Sequence, residues 1–415
     1  MYNVEKGTGF FNQWYRIGLF NLLLVATIGL LLRYKMVASL PWADHKYFLH
    51  GHSHFAFSGW VSLIIMVGIL QRIHTHSGQQ IIKKFKPLLW LHLLTAYGML
   101  VSFPIQGYGW VSISFSTLSI FISYAFVWMV WKNCNALIWG NKTAALSIKA
   151  ALVFLVVSSF GAFWLAFLMA THSSTQSHFF TALYSFLHFQ YNGWFFFGIL
   201  GFWLTMLPSA ELATKNRLHK GVVWMVAACV PAAALSALWM KVSAVVYAIA
   251  IVAAIMQLGG VILAWKSIRK GISILVTTLS TAEKWLLGLS GGAFLIRVVL
   301  QSLSTIPALS KFAFAYRPVV IGYLHLILLG CITLFLFAFL YGKNLWRAHA
   351  RLMHVAFILF IAGFLGTEGT LMLQGFGYIG WISIPYTNEV LFTSAILLFS
   401  GAGLLFASSR TTSMQ

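Results

Sequence analysis

Long apolar runs, interrupted at short intervals by basic or small polar residues, recur along the whole chain. A membrane-crossing helix needs about 20 mostly apolar residues. Twelve stretches come close to that length: 17–33, 50–71, 87–106, 111–131, 148–171, 179–207, 220–240, 242–264, 285–306, 318–341, 352–374 and 388–408. None shows the alternation of a strand, and lipid cannot satisfy a free backbone, so each is predicted to be a helix. The pattern predicts an all-α polytopic membrane protein with twelve transmembrane helices.

Composition sharpens this reading. Of 415 residues, 60% are hydrophobic and only 8% charged, whereas a soluble domain carries about 25% charged residues. A soluble enzyme, a disordered chain and a fibrous protein are excluded. The net charge of +21 is spread over short loops, so no nucleic-acid partner is expected, and the main partner is the lipid bilayer. Cys134, Cys229 and Cys331 are too few and too scattered for a disulfide framework or a cysteine metal site. The opening residues lack an apolar core followed by a cleavage site, so no signal peptide is expected. Of the 27 Lys and Arg, 20 lie in the tails and in the loops after the even-numbered spans, and 6 lie on the other side. Basic residues favour the cytoplasm, so both termini are expected there, in a bacterial plasma membrane.

Three spans share one spacing. Span 2 carries His54 with Gly59, span 6 carries His188 with Gly193, and span 10 carries His325 with Gly330. The histidines are 134 and 137 residues apart, four spans each time. A second match pairs Gln106-Gly-Tyr-Gly-Trp110 with Gln374-Gly-Phe-Gly-Tyr and Trp381, again 271 residues apart from Trp110 to Trp381, the separation of His54 and His325. The expectation is one transmembrane domain of three pseudo-equivalent four-helix repeats, about 1–140, 141–275 and 276–415.

His54, His188 and His325 are placed roughly 6–14 Å below the outer edge by the helical rise. Ionisable groups at that depth are costly and mark function by default. Neutral imidazole ligates metals and haem iron. The plain alternative is three histidines hydrogen-bonded to neighbouring helices. His50 and His54 are one helical turn apart and share a face, whereas His52 points elsewhere. Carboxylates are scarce, and only Glu368 is deep in a span, where it could carry protons or orient a ligand. Arg297, inside span 9, could pair with Glu368 or with haem propionates.

Twelve spans, cytoplasmic termini, three repeats and histidines near the outer ends of spans 2, 6 and 10 resemble subunit I of the haem-copper oxidase superfamily. Phe48-Leu-His50-Gly-His52-Ser-His54 looks like the haem-ligand region of that family's second helix. The chain also resembles the NnrS family of haem- and copper-containing membrane proteins. The resemblance implies a haem b with an axial pair from His54 (or His50) and His325, with Arg297 beside the cofactor. It implies copper as a second metal, at His188 or at a set drawn from His52, His54, His188 and His325. It also implies an electron-donor cytochrome or quinol and oxidase-type partner subunits. Span 7 lacks the family's histidine pair and span 10 has one histidine, so a complete oxygen reductase is not expected. The expected task is electron transfer, or binding or reduction of a small diatomic such as nitric oxide or oxygen. The competing expectations are a membrane transporter, with Glu368 and Arg297 as coupling groups, and a non-catalytic scaffold or assembly subunit.

Overall fold

The computed structural model describes residues 2–78, 80–133, 141–207, 216–346 and 350–409. These are helical almost throughout, and no strand occurs among them. In chain order the helices are α1 (Tyr2–Val37), α2 (His45–Phe55), α3 (Leu63–Ser77), α4 (Gln80–Gln106), α5 (Trp110–Lys132), α6 (Lys142–Ala170), α7 (Gln176–His188), α8 (Phe196–Met206), α9 (Asn216–Cys229), α10 (Ala244–Thr278), α11 (Thr281–Leu303), α12 (Pro307–Ala315), α13 (Arg317–His325), α14 (Leu334–Tyr341), α15 (Ala350–Gly380) and α16 (Thr387–Ser408).

Three π-helical stretches join pairs of these into longer helices: Ala56–Ser62 between α2 and α3, Phe189–Phe195 between α7 and α8, and Leu326–Thr333 between α13 and α14. They are the π-helical stretches among the described residues, and each begins one or two residues after His54, His188 or His325. Such wide turns are rare and concentrate at functional sites.

Among the described residues, ten helices are long and apolar enough to cross a membrane, or eleven if one bent pair counts as a span. The chain is therefore an all-α polytopic membrane protein with about ten long apolar helices, and two of the twelve predicted spans differ from expectation. The sixth is helical from Gln176 through Met206, but it is not among the ten, because His188, Gln190 and Asn192 dilute its apolar run. The seventh is broken. Helix α9 stops at Cys229, and a 3₁₀ turn, Pro231–Ala237, leaves it at 48°. Proline has no N–H to give and its ring crowds the preceding turn, so the α ladder ends there.

The chain divides into two compact units: Met1–Ala136 with Leu336–Gln415, and Leu137–Phe335. In the first unit the span from α2 to α3 is the most buried, with every residue from Ser58 to Leu70 shielded. Helix α1 packs on it and on α16, and α15 with α16 forms a hairpin. In the second unit α6 lies along α7, its π turn and α8, while α9 and α10 form a tight pair. A Cβ on Gly221 would meet the Gly260 carbonyl at 2.7 Å, and one on Gly260 would meet the Gly221 carbonyl at 2.8 Å. Only glycine lets two backbones approach this closely, a standard means of packing helices in lipid.

Candidate functional site

A π turn displaces carbonyls from the regular ladder, and hydrocarbon offers them no water. The first unit answers with side chains. Asn21 on α1 donates from Nδ2 to the Gly59 carbonyl at 2.7 Å, and Tyr97 on α4 donates to the Asn21 Oδ1 at 2.7 Å. His92 on α4 donates from Nε2 to the Ser58 carbonyl at 3.0 Å. Ser58 itself donates to the His54 carbonyl at 2.7 Å.

The outer part of this turn is different. Asp44 caps α2 by accepting from the Tyr47 N–H at 2.9 Å. One turn further on, His50 and His54 face Phe103 and Tyr108. The His54 ring stacks on Phe103 with centroids 4.4 Å apart and planes 13° apart. His50 meets Tyr108 edge-on at 4.6 Å, and Phe103 meets Tyr108 edge-on at 5.2 Å. His54 Nε2 lies 3.3 Å from the Tyr108 hydroxyl, a long contact. His50 Nε2 is buried with no hydrogen-bond partner. Burial pushes the Tyr108 phenol above its ordinary pKa, which keeps it protonated and able to donate.

Tyr108 is delivered by a tight turn between α4 and α5. Gly107 has φ of 60°, and a Cβ there would meet the Tyr47 ring at 2.4 Å, so only glycine fits. With its amide oxygen turned to the helix start, Gln106 accepts from the Val111 and Ser112 N–H groups at 3.0 and 2.9 Å. Gln374, at the corresponding place before α16, instead donates to a side chain, the Thr387 hydroxyl, at 2.8 Å. His52 stands apart from His50 and His54, as its position on the helix predicts. It donates from Nδ1 to the Val25 carbonyl at 3.1 Å and lies over Gly29 of α1.

In the second unit His188 is 3% exposed and both ring nitrogens are used. Nε2–H donates to the Cys229 carbonyl at 2.8 Å, and Nδ1 accepts from Asn192 Nδ2 at 3.0 Å. The Cys229 carbonyl needs this partner because the break at Pro231 turns the Ala233 N–H to Val230 instead. The histidine therefore caps a broken helix. Gln190 donates to the Ser158 hydroxyl at 2.9 Å, and the Cys229 thiol approaches the Asn192 carbonyl at 3.8 Å. A metal at His188, as the sequence suggests, would have to displace at least one of these two hydrogen bonds.

His325 ends α13, half-buried, and opens the third π turn. Ser290 on α11 donates to the Cys331 carbonyl of that turn at 2.6 Å. Arg297, on the same helix as Ser290, is 4% exposed and lies over the faces of Phe196 and Phe294. Glu368, in the first unit on α15, has a buried Oε1 without a hydrogen-bond partner. Among the described residues no three His, Cys, Asp or Glu side chains come together as a metal site. No family model and no curated protein matches the chain.

The sequence singled out the histidines but not the groups that satisfy their turns. Asn21, Tyr97, His92, Asn192 and Ser290 carry no motif. Their one shared signal is a polar residue inside an apolar run.

Proposed function

We propose that the chain is a haem-binding integral membrane protein that exchanges single electrons or binds a small diatomic such as nitric oxide or oxygen. One observation carries the reading: the buried, unpartnered Nε2 of His50, one turn from His54, against an aromatic wall. A lone pair buried without a partner is costly, and an iron ion is a partner imidazole readily accepts. Phe103 and Tyr108 would flank the flat macrocycle, and the Tyr108 hydroxyl would offer a hydrogen bond. A haem held here would supply one-electron chemistry or a site for a diatomic. The resemblance to oxidase subunit I supports haem b and a cytochrome or quinol as electron donor. The three-repeat reading is supported by a π turn after each of the three histidines. Cytoplasmic termini rest on the bias of basic residues. Copper finds less support, since His188 is committed to Cys229 and Asn192.

The test is a reduced-minus-oxidised optical spectrum of the detergent-purified chain, with iron analysis of the same sample. A haem b band with bound iron, lost in His50→Ala or in His54→Ala, is the expected result. A colourless, iron-free wild type overturns the reading.

A second reading, transport, is favoured by the break at Pro231, because discontinuous helices build substrate sites in transporters. It predicts a colourless protein that moves a solute across vesicles.

A further inference from the structure

The second unit buries a permanent cation whose charge its described residues do not balance. Arg297 cannot lose its proton in a protein, and an unpaired charge in a low-dielectric interior is strongly disfavoured. Two carboxylates fall within this unit's part of the sequence, Glu211 and Glu283. Glu211 lies outside the described residues, before the start of α9 in the sequence. Glu283 closes a capping box with Ser280 at the other end of α11, fourteen residues or about 21 Å from Arg297.

The polar contacts of Arg297 are weak. One Nη lies 3.4 Å from the Gln301 amide oxygen, and Nε is buried with no hydrogen-bond partner. The Tyr323 hydroxyl lies within reach of the guanidinium. Phe196 and Phe294 stack parallel, 5.1 Å apart, and their rings lie 5.1 and 5.6 Å from the guanidinium carbon. The two rings lie beside the guanidinium, while its edge bearing Nε keeps an unused donor.

We infer that Arg297 forms a binding site for a small, planar, singly charged oxyanion of the nitrate or carboxylate type. The charge follows from the single cation, and the planarity from the fork of N–H groups, which matches two oxygens of one flat group. Tyr323 and Gln301 stand beside the guanidinium to supply further hydrogen bonds. The ligand is either a free anion or the carboxylate tail of a larger molecule. The inference is argued from Arg297, Tyr323 and Gln301 alone, without the histidines that carry the haem reading.

The experiment uses the full chain purified in detergent and exchanged into sodium fluoride. Thermal unfolding is followed while nitrate, formate or chloride replaces fluoride at constant ionic strength. Wild type is expected to show a saturable rise in Tm, larger with nitrate and formate than with chloride. Arg297→Lys keeps the charge but loses the fork, and should lose the preference for planar anions. Gln301→Leu should weaken the nitrate response several-fold. If a carboxylate tail already fills the site, wild type responds to none of the salts. Mass spectrometry of its extract then finds about one equivalent of an organic acid per chain, reduced in Arg297→Lys. The inference fails if wild type neither responds nor carries an acid. It also fails if Arg297→Lys keeps the wild-type anion preference.

Discussion

The His54 turn and the His188 turn share a spacing, a glycine and a π-helical stretch, yet their imidazoles meet opposite surroundings. At His188 the neighbouring helix is broken, and the freed Cys229 carbonyl takes the ring's proton while Asn192 fills its lone pair. At the first turn the carbonyls are capped by Asn21 and His92 from other helices. That leaves His50 and His54 facing aromatic rings instead of carbonyls. The difference teaches that a buried histidine becomes available for chemistry only when something else satisfies the local backbone. A fold can hold one repeated motif in a structural role in one place and release it in another.

Removing the cap at His188 is the strongest way to probe that contrast. His188→Ala strands a buried carbonyl and a buried amide, each worth roughly 1–3 kcal/mol. A loss of about 3 kcal/mol is expected in reversible unfolding, with any chromophore of the folded fraction unchanged. A variant as stable as wild type would show that His188 is not a cap. Asn21→Leu comes next. It uncaps the Gly59 carbonyl and removes the acceptor of the Tyr97 hydroxyl, so about 2 kcal/mol should be lost by the same measurement.

His50→Ala is expected to cost less than about 1 kcal/mol in apoprotein, because no protein hydrogen bond to its Nε2 is lost. A cost as large as that of His188→Ala would erase the distinction between the two turns. The smallest effect concerns pH. Tyr108 has a raised pKa in the fold, so its contribution is fully present below the unfolded value of about 10 and fades as pH rises through the folded value. Wild type should therefore lose slightly more stability than Tyr108→Phe between neutral and strongly alkaline pH. Parallel curves for the two proteins would contradict this.

Much of the fold was legible because lipid imposes a simple rule: apolar runs long enough to cross become helices. The rule miscounts where a helix spends polar residues on its own backbone. His188, Gln190 and Asn192 lower the apolarity of the sixth predicted span although all three are buried within its unit. The seventh span was read as unbroken across Pro231, because an isolated proline does not say whether a helix bends or stops. Of the candidate site, the sequence located the three histidines and the shared face of His50 and His54. It could not say which imidazole nitrogens would be occupied. That depends on carbonyls displaced by π turns and a proline, which no residue type announces.

The π turn after each histidine also has a consequence for orientation. An α-helical residue advances the azimuth by about 100°, and a wide turn amounts to one surplus residue in the ladder. Side chains on the two sides of it are therefore out of phase by that angle. Drawing the stretch from Ala56 to Ser62 into a regular α-helix of the same residues would swing His50 and His54 about 100° around the axis relative to α3, whereas deleting its surplus residue would leave them nearly in place. The wide turn thus works as an angular vernier, setting where the outer half of the helix points without altering its depth.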